Sequence, residues 1–159
     1  TIYSSSEINS EIQIKAMTAY AQSKGLTVRA ATVSTVNDIP QAAQSLVSDV
    51  DVFYEPTDNV ISSSIPTLVS VTDAAGKGVI CAEPFMVTGG CLATYGIDYY
   101  KLGVQTGEMA ADILEGKSKP ANMPIETARD LTLVISKSGI EKLGLTIPED
   151  VLKDATLVD

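Results

Sequence analysis

The stretch Asp51-Val52-Phe53-Tyr54-Glu55-Pro56-Thr57-Asp58-Asn59 constrains this chain most, because an apolar run meets a proline stop and then three small polar residues. Val52, Phe53 and Tyr54 predict a short strand in a sheet covered on both faces, and Pro56, lacking an N–H, ends its ladder. Thr57 or Asp58 then caps a helix carrying Ile61, Ile65, Leu68 and Val69. Polar side chains and free helix N–H donors thus gather at a strand's carboxyl end, the edge where open α/β sheets bind ligands.

The same alternation recurs on either side. Thr1-Ile2-Tyr3 reads as the tail of a buried strand, so the chain is expected to be part of something longer. Ser4 to Ser10 leads into a helix with Ile8, Ile12, Ala16, Ala19 and Tyr20 on one face and Gly25 after its end. Residues 26–33 read as a strand. Asn37-Asp38 caps a second helix through Ile39, Ala42, Ala43, Leu46 and Val47, with Pro40 tolerated in its first turn. The helix over 59–75 contains Pro66, where a kink or tightened turn is expected. Residues 79–82 form another buried strand, ending in Glu83-Pro84. Repeated strand, polar turn and helix units predict an α/β fold, a three-layer, doubly wound, mostly parallel sheet.

The second half differs in character. Residues 92–95 form a short strand, 96–98 a turn, and 102–114 a helix whose Gly103, Gly107 and Ala110 suit close packing. Gly116 ends it, and a proline-bearing linker follows over 117–124. Residues 131–135 read as a strand and 137–143 as a short helix ended by Gly144, with a last helical turn beginning at Pro148.

A chain of 159 residues with 45% hydrophobic content suits one compact domain. Eleven Lys plus Arg against twenty Asp plus Glu give a net charge of −9, which argues against nucleic acid or anionic lipid as a partner. No apolar run approaches the roughly 20 residues that cross a bilayer, and nothing at Thr1 resembles a signal peptide, so the chain reads as soluble. There is no His, and Cys81 and Cys91 are the only thiols. They do not make a metal site and read as buried free thiols, with a disulfide as the alternative. No cofactor or metal is expected.

Candidate binding residues stand at the strand tips. Ser5 and Ser6, with Asn9 in the next turn, sit where a helix N-terminus suits a carboxylate or phosphate; capping alone would also select serine. Thr57, Asp58 and Asn59 occupy the equivalent place one crossover later, although a cap needs only one of them. Glu83 can pair with an ammonium group or be a solvated loop charge. Asp98 either lines the same crevice or caps the helix starting near Tyr99. Tyr99 and Tyr100 offer a stacking surface or pack on the scaffold. Enzyme chemistry lacks support: there is no G-x-S-x-G, no Walker lysine loop and no G-x-G-x-x-G. Asp58 with Glu83 has neither nucleophile nor metal beside it.

Taken together, Ser4-Ser5-Ser6-Glu7-Ile8-Asn9-Ser10, Ala42-Ala43-Gln44-Ser45-Leu46, Tyr54-Glu55-Pro56-Thr57-Asp58-Asn59, the run from Ala93 to Gly107, Pro124-Ile125-Glu126 and Gly144-Leu145-Thr146-Ile147-Pro148-Glu149 resemble the tryptophan/tyrosine-type ABC transporter substrate-binding proteins. These have the type I periplasmic binding protein fold. The resemblance implies a periplasmic or lipid-anchored receptor whose two α/β lobes close around a small ligand, often an aromatic amino acid, and deliver it to an ABC permease. It places the ligand's carboxylate near Ser5 and Ser6, other polar groups at Thr57, Asp58, Asn59 and Glu83, and Asp98 near a hinge crossing.

It further implies that residues 1–159 are a single lobe. Residues 1–98 form its sheet core, 99–124 a helix and linker that contact a missing N-terminal lobe, and 125–159 a return strand and C-terminal helices. Without that lobe the helix packs on its own chain, exchanges with a second copy as in a homodimer, or exposes an apolar face. Two other readings share the fold. One is a flavodoxin-like FMN electron carrier, disfavoured by the lack of Trp and scarcity of aromatics to sandwich a flavin. The other is the effector-binding domain of a transcription repressor.

Overall fold

The computed structural model describes residues 1–159. The chain runs through β1 (Ile2–Ser4), α1 (Ile8–Ser23), β2 (Ala31–Val33), α2 (Ile39–Leu46), β3 (Val52–Glu55), α3 (Asn59–Ser62), α4 (Ile65–Ala74), β4 (Gly78–Cys81), α5 (Pro84–Thr88) and β5 (Ala93–Ile97). It continues through α6 (Tyr99–Leu114), β6 (Leu131–Ser136), α7 (Lys137–Leu143), α8 (Glu149–Leu152) and β7 (Ala155–Val158).

Strands β3 to β7 form one sheet in sequence order, parallel except where β5 meets β6. β1 and β2 form a parallel pair, with Ile2 opposite Ala31. That pair is fastened to β3 by side chains: the Ile2 N–H donates to Glu55 Oε1 at 3.3 Å and the Ser4 N–H to Asp58 Oδ2 at 2.7 Å. With β2 on one side of β1 and β3 on the other, right-handed crossovers put α1 and α2 on opposite faces. The α/β, mostly parallel architecture is the expected one.

One apolar cluster joins Ile2, Val33, Ile39, Phe53, Leu68, Val79 and Met86 beneath α2 and α4. The buried apolar residues of α1, Ile14 and Ala21, stand outside it, as a helix on the other face requires. Cys81 and Cys91 are buried free thiols. A hydrogen bond to Cys81, reinforced by burial, pushes the Cys91 thiol far up from its ordinary range.

Several elements depart from the sequence reading. α1 forms, but the face expected to be inward lies outward: Ile8, Ile12 and Tyr20 are 75%, 61% and 67% exposed, while Ser10, Ile14 and Ala21 are buried. A hydrogen bond outweighs apolar periodicity here, because the Ser10 hydroxyl donates to Asp58 Oδ2 at 2.8 Å and turns that stripe inward. β2 spans only its last three expected residues, since the ladder reaches no further than β1, whose Thr1 takes the Ala31 N–H. The helix expected over 59–75 breaks at Ser63 and Ser64, leaving Pro66 in the first turn of α4, where its missing N–H costs nothing.

Gly96 and Ile97, read as a turn, continue β5. A Cβ on Gly96 would run into the Ala82 carbonyl oxygen, so this glycine marks a close approach of backbones rather than a bend. α5 and β7 were not anticipated; each is short and carries no periodicity of its own. α6 starts at Tyr99, the start that Asp98 as a cap implies and three residues before the 102–114 pattern, and Gly103 and Gly107 have nothing within 4 Å of an added Cβ, so the close packing expected of them is absent from this chain.

Candidate functional site

The loops after β1, β3, β4 and β5 leave the same edge of the sheet and carry every residue singled out above. Ser5 and Ser6 follow β1 and are exposed; the Ser6 hydroxyl lies 2.8 Å from that of buried Ser4. α1 begins without a side-chain cap, so its first N–H groups remain available to an acceptor. Asn9, also exposed, donates from Nδ2 to the Thr57 carbonyl at 2.7 Å, tying the first turn of α1 to the loop after β3. Gln13 completes that tie, its Oε1 accepting the Thr57 N–H at 3.0 Å.

Asp58 lies beneath this rim. It is 1% exposed, and its two oxygens together accept four hydrogen bonds. Oδ2 takes the Ser4 N–H and the Ser10 hydroxyl, and Oδ1 takes the N–H groups of Val60 and Ile61 at 3.0 and 3.1 Å. The carboxylate therefore caps α3 and staples β1 and α1 to β3, which leaves a solute little to bind on it directly. Asn59 is exposed and engaged with Glu7, whose Oε1 accepts its backbone N–H at 3.0 Å and whose Oε2 accepts its Nδ2 at 3.2 Å.

Glu83 presents a different environment. It stands at the N-cap of α5 but its side chain makes no capping bond, glutamate not being among the short side chains that favour this position. The residue is 6% exposed, and no Lys or Arg pairs with it. Burial pushes its carboxyl above the usual range, while the Thr57 and Tyr99 hydroxyls beside it draw it back down. Tyr99 is itself raised, first by burial and then by the charge of Glu83. Asp98 caps α6 through the Lys101 N–H at 3.1 Å and faces the Lys101 ammonium at 3.9 Å.

The structure thus brings Ser6, Asn9, Thr57 and Asn59 together over Asp58, with Ser5 beside them and its N–H on the Val33 carbonyl. Glu83 lies near Thr57 and Tyr99, and Asp98 precedes Tyr99 in the chain. Sequence reasoning did not single out Gln13, which only its bond across to Thr57 identifies. Glu7 and Ser10, next to the serines in sequence, prove to bind Asn59 and Asp58 instead of standing free. A groove of about 610 Å³ lies at the opposite end of the strands, lined by Thr1, Tyr20, Arg29 and Val52 among others.

Polar turns of successive parallel strands share one edge of this α/β lobe. The chain belongs to the ABC transporter substrate binding protein family, whose model matches residues 1–159. This is a family of binding proteins rather than of enzymes.

The tyrosine-binding protein of Clostridioides difficile (strain R20291) is 38% identical over 144 residues, which are 91% of this chain and 41% of that protein. The crystal structure of an ABC domain from Streptococcus pneumonia in complex with L-Trp has a TM-score of 0.88 and 40% identity, covering 99% of this chain and 53% of that one. The ligand-free, open structure of a substrate-binding protein with adhesive properties from Clostridium difficile has a TM-score of 0.80 and 36% identity, covering 99% and 52%. The chain therefore spans about half the length of the relatives it matches. These comparisons support neither the flavodoxin-like nor the repressor reading. No helix is long and apolar enough to cross a membrane.

Proposed function

We propose that residues 1–159 form one lobe of an extracytoplasmic receptor, periplasmic or lipid-anchored, and supply one wall of a cleft that binds an amino acid, aromatic by analogy with its relatives, for an ABC permease. The observation that carries this reading is Glu83, a buried carboxylate at the ligand edge that neither caps its helix nor pairs with a cation. A carboxylate so placed suits the ammonium of an amino acid. Across the rim, the Ser5 and Ser6 hydroxyls and the uncapped N-terminus of α1 suit the solute's carboxylate. Thr57, Asn9 and Asn59 border the space between these poles, and Asp98 flanks it. Asp58 serves it from below by fixing the two loops together.

The opposing wall comes from a second lobe outside residues 1–159, toward which α6 and the linker after it turn. Tyr100 and Leu114 are 82% and 87% exposed, and Gln105 is the only buried residue of that helix. An apolar surface of this kind fits an interface. Isothermal calorimetry tests both halves of the reading. The complete expressed protein is expected to bind L-tryptophan or L-tyrosine at micromolar concentration, and residues 1–159 alone to bind neither at a millimolar. No heat from the complete protein with any L-amino acid overturns the ligand class. Millimolar or tighter binding by residues 1–159 alone overturns the half-cleft.

A further inference from the structure

Resting on that reading, we infer that Gln105 is a positioning residue for lobe closure: its amide locks α6 and the return segment over 126–130 into one body, so that the two chain crossings toward the second lobe turn together. The chain leaves the sheet at the end of β5 and comes back at the start of β6. These two points are neighbours, Ile97 standing opposite Leu131 in an antiparallel ladder. Between them no residue of α6 enters the apolar core, and the one residue the helix buries is polar.

That residue, Gln105, is 6% exposed. Its Nε2 donates to Glu126 Oε2 and to the Thr127 carbonyl, both at 3.0 Å, and its Oε1 accepts the Arg129 N–H at 3.2 Å. A carbonyl and an N–H two residues apart are what the peptide group of an adjacent strand would satisfy. One side-chain amide thus does for a segment outside any helix or strand what a ladder does for β6. Arg129 closes the arrangement, donating from Nε and Nη2 to the same Glu126 oxygen at 3.1 and 2.7 Å and from Nη1 to Glu108, on the next turn of α6, at 3.4 Å. The ion pairs of Arg129 are exposed and contribute little by themselves. Gln105 is shielded from water, and its removal leaves the Thr127 carbonyl and the Arg129 N–H without that partner.

Closing two lobes bends both crossings. A return segment free to slip along α6 would give the unliganded protein further arrangements that do not bind, and each lowers the fraction competent to take the solute. Fixing the segment to the helix removes them.

The test compares the complete expressed protein with its Gln105→Leu and Glu126→Gln variants by hydrogen exchange and by L-tryptophan calorimetry. In wild type, a peptide spanning residues 125–130 should exchange more slowly than a free chain, and saturating L-tryptophan should slow it by the same factor as the amides of α6. Gln105→Leu, similar in size but without the amide, is expected to abolish that shared response and to weaken L-tryptophan about 5- to 10-fold. Glu126→Gln keeps an acceptor for Nε2 and should leave affinity within about twofold of wild type, with the shared response intact.

Free-chain exchange of residues 125–130 in wild type, unchanged affinity in a folded Gln105→Leu, or equal losses in the two variants would overturn the role of Gln105 while leaving the receptor reading standing. If Gln105→Leu does not fold, wild-type exchange decides: a shared response to L-tryptophan supports the lock, and separate responses of α6 and residues 125–130 overturn it. A wild-type protein that binds no amino acid would overturn both.

Discussion

Asp58 and Glu83 end neighbouring parallel strands, and each is the N-cap residue of the helix that follows, yet the two carboxylates do opposite work. Asp58 takes the N–H groups of Val60 and Ile61 in its own helix, besides the Ser4 N–H from β1 and the Ser10 hydroxyl from α1. Glu83 makes no capping bond in α5. The short aspartate is a favoured N-cap residue that folds back onto its helix, and the longer glutamate is not. The same strand-end position thus yields a latch at β3 and, under the proposed reading, a recognition group at β4.

The sharpest way to break that contrast is to remove each carboxylate. Asp58→Ala strands a buried Ser4 N–H, the Ser10 hydroxyl and two helix N–H groups, and should cost about 4 kcal/mol in urea unfolding. Glu83→Gln, which strands nothing, should change stability by less than about 1 kcal/mol. Equal costs for the two would show that Glu83 is a structural group as well, and the division would fail.

Much of this was legible in the chain. Apolar runs closed by Pro56 and Pro84 marked β3 and β4, and the small polar residues after Pro56 marked the strand-end edge. What escaped was set by partners far along the chain. Ser10 faces inward because Asp58, 48 residues away, accepts its hydroxyl, so the apolar spacing of Ile8, Ile12 and Tyr20 pointed to the wrong side of α1. Asp58 and Glu83 looked alike as site residues, since the Ser4 N–H that helps saturate Asp58 lies 54 positions away. Gly96 read as a turn because glycine has two uses, and only the Ala82 carbonyl opposite it shows which applies.

Gly96 also sharpens the comparison, because Ala82 precedes Glu83 directly. Gly96→Ala must push the Ala82 carbonyl away from β5, and backbone has little room to yield. We expect a loss of about 3 kcal/mol in stability, together with weaker L-tryptophan binding by the complete protein because Glu83 moves with its neighbour. Unchanged affinity in a folded Gly96→Ala variant would show that Glu83 tolerates displacement and that its placement matters less than its charge.

Glu55 supplies the third case, a carboxylate that is neither latch nor open to solute. It is fully buried at the end of β3; Oε1 accepts the Ile2 N–H while Oε2 has no partner. Burial drives its carboxyl well above the ordinary range, and the Ile2 N–H pulls the other way without overcoming it. The folded chain therefore keeps a proton that the unfolded chain has released. Its contribution to stability is fully present below the unfolded value of about 4.3 and declines as pH rises toward the raised folded value. Glu55→Gln keeps the acceptor for Ile2 and removes the titration. Urea unfolding of both forms from pH 4.5 to 8 should therefore show wild type losing ground to Glu55→Gln with each step upward, a difference that is smallest at the acid end. Parallel profiles would mean that Glu55 is ionised in the fold, and that burial alone does not separate it from Asp58.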